Sequence, residues 1–288
     1  MRRSPFYACV LAFGLCAEAR ADDAHGVGDP RFALSLRAGI LHTDDDTFAA
    51  TWYRPVTLEG SAWILRSPRR WLNGLQLYGS LGLESASIDY RERPTDYEEG
   101  LAGIHHADID VERGWVFGGG ARLSIYDAGR LRLTAFVDAG APLRSSDVEV
   151  GALLIDLEGL KVDVAKAVRE NADVTYRGRT ARVGLTAGVS FRAGSLRWTP
   201  YLTVGWLSYR AKIAFETNDA LKEALMTFGV DPSVLSEREV VESDVFFAPG
   251  ARLDLSRAWS LEAQALLGRY DGTWVAAGTI GAAWRFGR

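Results

Sequence analysis

Several things are scarce in this 288-residue chain, and each scarcity excludes something. There are two cysteines, Cys9 and Cys16, and both lie in the first apolar stretch. Removal of that stretch leaves no disulfide framework, no zinc set and no thiol nucleophile. Of 33 basic residues, only Lys161, Lys166, Lys212 and Lys222 are lysines. A water-soluble β-protein would carry more lysine on its outer faces. The formal net charge is only −4 and no basic stripe runs along the chain. Nucleic acid therefore has no electrostatic footing as a partner. Long hydrophobic runs are missing too. After residue 21 the longest candidate, Trp274–Trp284, is only about half a helical span. What the chain has in quantity is apolar and aromatic residues, with 48% hydrophobic content and 9 Trp, 10 Tyr and 12 Phe. That composition excludes global disorder. It suits one large all-β domain or two small mixed ones.

The N-terminus reads as an address. Arg2 and Arg3 precede the apolar run Phe6–Ala17, and Ala19-Arg20-Ala21 supplies small residues three and one before a cut. This order predicts a signal peptide over residues 1–21, Sec-type export and cleavage near Ala21. Leu15 before Cys16 argues against lipoprotein processing.

The mature chain alternates with period two. Phe32, Leu34, Leu36, Ala38 and Ile40 interleave with Ala33, Ser35, Arg37 and Gly39. Leu75, Leu77, Leu81 and Leu83 interleave with Gln76, Tyr78, Ser80 and Gly82. Similar runs fall near Val56–Leu65, Trp115–Ile125, Leu131–Leu143, Ala181–Phe191, Trp198–Trp206, Val245–Leu255, Leu261–Leu267 and Trp274–Phe286. Alternation over such lengths predicts strands, ten in all. Short turns at Ser67–Asn73, Tyr126–Gly129, Ala193–Ser195 and Ser256–Ala258 take turns with longer connections. The longer ones are His42–Ala50, Ile88–Glu112, Arg144–Thr175 and Ile213–Ser243. A meander with its short turns at one end gives that order.

Alternation alone does not say which face is wet, since a soluble lipocalin-like barrel alternates as well. Here the polar face is rich in Gly, Ser and Thr, which suits a narrow packed interior. Aromatics gather near both strand ends. Trp71, Phe191, Trp198, Trp259 and Trp284 lie near short turns, and Trp52, Trp115, Trp206, Phe247 and Trp274 near the opposite ends. Two such bands are the expected interfacial girdles. Ile280, Ala282, Trp284 and Phe286 alternate almost to the C-terminus.

On these residues the chain resembles the outer-membrane β-barrel proteins of Gram-negative bacteria, over nearly all of residues 31–286. The resemblance implies an all-β, antiparallel, up-and-down transmembrane barrel of ten strands, with eight or twelve as alternatives. It places a periplasmic segment at 22–30 and the barrel at 31–288, in the bacterial outer membrane. It implies a monomer in contact with outer-membrane lipid and lipopolysaccharide. The outer-membrane insertion machinery would recognise the strand ending at Phe286. No cofactor, metal or catalytic residue is implied. A structural or surface-interaction role heads the functional expectations; a narrow porin-like channel and a rim hydrolase, omptin-like or lipid-modifying, are the alternatives.

With the apolar rows outward, Arg37, Glu59, Glu84, Arg122, Asp138, Arg182, Arg252, Asp254, Glu262 and Arg285 point into the lumen. Both a packed ion-pair interior and a charged selectivity lining fit that set. Apolar residues at helical spacing predict helices over 153–170 and 218–228. Asp231-Pro232 reads as the start of another helix through about Val240. His105, His106, Asp108 and Asp110 form the one histidine-rich segment, read as a loop, and Asp44-Asp45-Asp46 is an acidic turn. Neither matches a metal template.

Overall fold

A computed structural model describes residues 31–44, 48–67, 70–91, 103–157, 160–227, 232, 238–270 and 273–286. The signal peptide expected over residues 1–21, its expected cleavage site and the segment 22–30 lie outside the described residues. Strands follow each other as β1 (Phe32–Asp44), β2 (Phe48–Arg66), β3 (Trp71–Arg91), β4 (Gly103–Ala128), β5 (Leu131–Pro142), β6 (Ser146–Leu157) and β7 (Leu160–Asp163). Helix α1 (Ala165–Asn171) leads into β8 (Ala172–Val189), β9 (Phe191–Ala193) and β10 (Leu196–Thr217). Helix α2 (Asp219–Thr227) precedes β11 (Arg238–Asp254), β12 (Trp259–Tyr270) and β13 (Thr273–Phe286).

Ten of these strands close a ring: β1, β2, β3, β4, β5, β8, β10, β11, β12 and β13, with β13 hydrogen-bonded back to β1. Every pairing is antiparallel. Closure leaves no sheet edge within the ring, the condition a bilayer imposes on spanning strands. No described helix is long and apolar enough to cross a membrane.

The outer wall is apolar around the ring. Leu36, Val137, Leu185, Leu202, Phe247, Leu261 and Ile280 are all exposed. On β8 the apolar outward row runs from Ala181 to Val189, and on β10 from Trp198 to Trp206. Each covers about nine residues, the length a tilted strand needs to cross a bilayer. At the short-turn end the rings form a band: Trp259 and Trp284 are 6.3 Å apart, Trp284 and Phe286 4.7 Å, Phe286 and Phe32 5.9 Å. Phe191 and Trp198, 5.9 Å apart, and Trp71 extend it. Trp115, Trp206 and Phe247 are exposed at the other border. The side chains of Trp52 and Trp274 lie outside the described residues.

Several strands continue well past that border, so one end of the barrel is tall. The ladder β3–β4 runs up to Arg91↔His106, and β8–β10 up to Ala172↔Thr217. Strand β6 continues the line of β5 alongside upper β4, pairing Ile109↔Val150 and Ala107↔Leu153. Above the rung Ser146↔Tyr176, β6 pairs with β7. Helix α1 packs on β6 and β8 and touches α2. Asn218 caps α2 by accepting from the Leu221 amide at 2.9 Å, and donates to Asn171 of α1 at 2.9 Å.

These tall strands correct three sequence readings. The expected helix over 153–170 is a strand to Leu157, a hairpin strand β7 and helix only over Ala165–Asn171. The pairing of β6 with β4 wins over its helical spacing, because a short apolar run suits either state and the sheet decides. Of the helix expected from Asp231 through about Val240, residues 238–240 are strand, the start of β11, and residues 231 and 233–237 lie outside the described residues. Residues 103–112 are strand, so the His105–Asp110 segment is wall and not loop. Of the acidic turn, Asp44 ends β1, and Asp45 and Asp46 lie outside the described residues. The helix expected over 218–228 forms at Asp219–Thr227.

Candidate functional site

The lumen is where chemistry collects. Its width is set by side chains from ten facing strands, and alternation brings every second residue inside. Bulky inward groups sit over glycines on the next strand. An added Cβ on Gly184 would lie 2.8 Å from the Phe136 ring, and one on Gly250 2.4 Å from Tyr201. Large residues therefore cross the lumen without spreading the wall.

The charged residues cross in layers. Near the short turns, Asp254 accepts from Arg252 Nε at 2.9 Å and from Arg285 Nη2 at 2.8 Å. Arg132 Nε lies 3.6 Å from Asp127 Oδ2. A continuous belt runs above them. Arg182 donates twice to Asp138, at 2.9 and 2.8 Å, and Asp138 accepts from the Tyr78 hydroxyl at 2.9 Å. The Arg122 guanidinium stacks 3.7 Å over the Tyr78 ring and reaches Glu59 at 3.3 Å. Glu59 is 3.8 Å from Arg37, which is 3.7 Å from Glu262, and Glu262 accepts from Tyr201 at 2.7 Å. Arg182 also lies 5.9 Å from each of the Phe136 and Phe246 ring centres. At the upper border Arg54 donates to Glu84.

Arg37, Glu59, Glu84, Arg122, Asp138, Arg182, Arg252, Asp254 and Arg285 are buried, and the Glu262 side chain is 14% exposed. The structure thus brings this set together, as one belt, one triad near the short turns and the Arg54–Glu84 pair. Sequence reasoning omitted Arg54, Arg132, Asp127, Gln76, Tyr78 and Tyr201 from the network. Gln76 and Tyr78 share the row opposite Leu75 and Leu77, so parity was the signal that could have found them. Asp127 and Arg132 face each other across a short turn. Arg54 sits at a register shift in β2 that parity cannot foresee.

Buried pairs of this kind contribute little net attraction after desolvation, but removing one partner strands a charge. On its tall side the belt borders a cavity of about 80 Å³, lined by Arg37, Arg54, Tyr78, Glu84, Asp138 and Arg182 among others. That volume suits a few waters. Among the described residues no three His, Cys, Asp or Glu side chains come together as a metal site.

The histidine-rich segment has a different setting. His106 Nδ1 lies 3.4 Å from Asp89 Oδ1, and both side chains are partly exposed. Asp108 and Asp110 are exposed, on alternate residues of the same strand. The alternating Ala107, Ile109 and Val111 are buried, so this polar row looks outward from the tall wall. The His105 side chain lies outside the described residues.

No family model matches the sequence, and no curated protein matches it. Solved structures match the fold. The transport unit of the autotransporter AIDA-I from Escherichia coli aligns with a TM-score of 0.51 at 9% identity, over 96% of this chain and 95% of that one. The outer membrane protease OmpT from Escherichia coli aligns with a TM-score of 0.50 at 7% identity, over 92% of this chain and 99% of that one. At such identities the likeness is one of fold, and the chain has the closed β-barrel fold of bacterial outer-membrane proteins.

Proposed function

We propose that this chain is an integral outer-membrane barrel that does not conduct, and that it works through the surface of its tall end. The short turns face the periplasm and the tall end faces outward, because long insertions and helices belong on the side away from the turns. The single observation that carries this reading is the belt Arg182–Asp138–Tyr78–Arg122–Glu59–Arg37–Glu262, which spans the lumen. Selectivity filters need sites that bind weakly and in series. Here each charge already has a protein partner at close range.

Above the membrane border the tall end has an apolar interior of its own, with Ile109, Val111, Val150, Leu153, Val168, Val174, Leu221 and Leu225 buried. Such a core holds the outer surface in one shape, as an adhesive or scaffolding surface requires. Planar-bilayer recording of the purified protein tests the reading. The expected trace is flat, and Glu59→Gln with Arg122→Gln opens measurable current. Discrete steps in the wild type would reject the closed barrel in favour of a narrow channel. Hydrolysis of peptide or lipid A that is lost in His106→Ala would reject the surface role in favour of an enzyme.

A further inference from the structure

At the short-turn end the lumen opens through a mouth lined by arginine. Arg192 on β9 stands directly opposite Arg197 on β10. Arg197 lies on the row of Thr199 and Tyr201, both buried, so this rung faces the lumen. Arg130 continues the row of the buried Arg132 on β5. Arg66 stands opposite the buried Gly74 and lies 5.1 Å over the Trp63 ring. Arg70 and Arg257 are exposed on neighbouring turns. Backbone hydrogen bonds tie these turns together. The Arg70 carbonyl accepts from the Asp127 amide at 2.8 Å, and the Arg130 carbonyl from the Ser190 amide at 2.8 Å.

The described acids at this end are Asp127 and Asp254, and both are already held. Asp127 lies 3.6 Å from Arg132. Asp254 stands opposite Arg197 but accepts from Arg252 and Arg285. Among the described residues the side chains of Arg130, Arg192 and Arg197 have no ion-pair or hydrogen-bond partner. Like charges opposed on one rung repel, so the mouth favours an anion. Its direction decides which one. Phe191 and Trp198, the adjoining rung, are exposed on the outer wall. A bilayer phosphate therefore lies on the other side of the wall, and the occupant enters from the water below. Arginine forks match carboxylates two oxygens at a time.

The sequence supplies such an occupant. Residues 22–30, outside the described residues, hold Asp22, Asp23 and Asp29 and no Lys or Arg. They join the barrel at Arg31, one residue before β1, on the same rim. Nine residues extend to about 30 Å. A ring of ten tilted strands is roughly 20 Å across, so the whole mouth is within reach. A tether this short gives an effective concentration of about millimolar order. Arg69, and Arg288 with the terminal carboxylate, adjoin this end in sequence and lie outside the described residues.

We infer that the lower mouth is a docking site for an acidic peptide and that residues 22–30 are the peptide it takes. The carboxylates of Asp22, Asp23 and Asp29 pair there with Arg130, Arg192 and Arg197. The inference requires cleavage near Ala21 and is independent of whether the barrel conducts.

From Asp22 onward the chain has no native cysteine. Spin labels on Ala24→Cys and Ser195→Cys therefore report the distance between segment and mouth by pulsed electron resonance in detergent micelles. At low ionic strength the expected distance distribution is narrow. Arg192→Gln with Arg197→Gln broadens it by roughly twofold or more, towards that of a free linker. Asp22→Asn with Asp23→Asn and Asp29→Asn, three changes outside the described barrel, does the same. So does an ionic strength of about 1 M, where charges are screened within about 3 Å. Arg177→Gln on the tall wall leaves the distribution narrow. A wild type as broad as the Asn variant overturns the assignment. So does a narrow distribution that persists in either variant, which would mean that charge does not hold the segment.

Discussion

The membrane section and the tall section of this barrel are built on the same strands with opposite polarity. In the membrane section the interior holds Arg122, Asp138, Arg182 and Thr186, and the exterior holds Leu185, Leu202 and Ile280. In the tall section the interior holds Ile109, Val150, Leu153 and Val168, and the exterior holds Asp108, Asp110, Arg177 and Lys212. The fold does not dictate which kind of residue goes inside; the solvent outside does. Hydrocarbon leaves polar groups nowhere to go but the lumen, and water reverses that preference.

Strand β4 shows how one ribbon serves both. Its odd residues are apolar almost throughout, from Ala107, Ile109 and Val111 to Trp115, Phe117 and Leu123. The upper three are buried and the lower three exposed. The register explains the flip. Glu84 faces Gly114 and Ala86 faces Val111, so β4 spends an extra residue at that point. A bulge of one residue exchanges the two faces of a strand. Glu112 and Arg113, both exposed, sit at the crossing.

The largest effect expected from this contrast is in the polar interior. Arg122→Ala leaves Glu59 and Gln76 without a central partner and lowers unfolding free energy in detergent by about 3–5 kcal/mol. Exposed Arg192→Ala shifts it by roughly 0.5 kcal/mol or less. Denaturant titration followed by tryptophan fluorescence reads both, and equal shifts would break the comparison. Next is the outer wall. Ile280→Arg, at a residue 67% exposed on the outer wall, costs about 2–4 kcal/mol of stability in liposomes. Asp110→Arg on the tall wall costs almost nothing in the same measurement.

How much of this was legible beforehand differs by section. The lumen charges and the ten strands follow from unbroken alternation, as in Leu75–Leu83. The tall section was read as loops because one face assignment was carried along each strand. Odd residues of β4 keep their apolar character through the bulge, so nothing in the local sequence marks where they turn inward. The β6 segment fails for a related reason. Leu153, Leu157 and Leu160 fit a helical stripe, and only the pairing of this segment with β4 and β7 selects strand.

Two smaller effects sharpen the tall section. Leu225→Ala, inside its apolar core, costs about 2 kcal/mol. It speeds proteolysis in residues 146–227 and leaves the gel mobility of the folded barrel unchanged; a loss of the folded band would show that the two sections unfold as one. Asn218→Ala removes the cap of α2 and the hydrogen bond to α1, for about 1 kcal/mol. Amide exchange in Leu221–Met226 reports it.

The seam between β1 and β13 joins Phe32 to Phe286, almost the two extremes of the described chain. Every other neighbour in the ring can zip to the ribbon made just before it, but this join waits for the final ribbon to be delivered. Until then both would-be seam strands expose bare peptide groups, an invitation to pair with the wrong molecule. The last step also closes the longest possible loop, so it is the slow one. A chain cut short by a single ribbon would therefore lose the whole cylinder and not one-tenth of it.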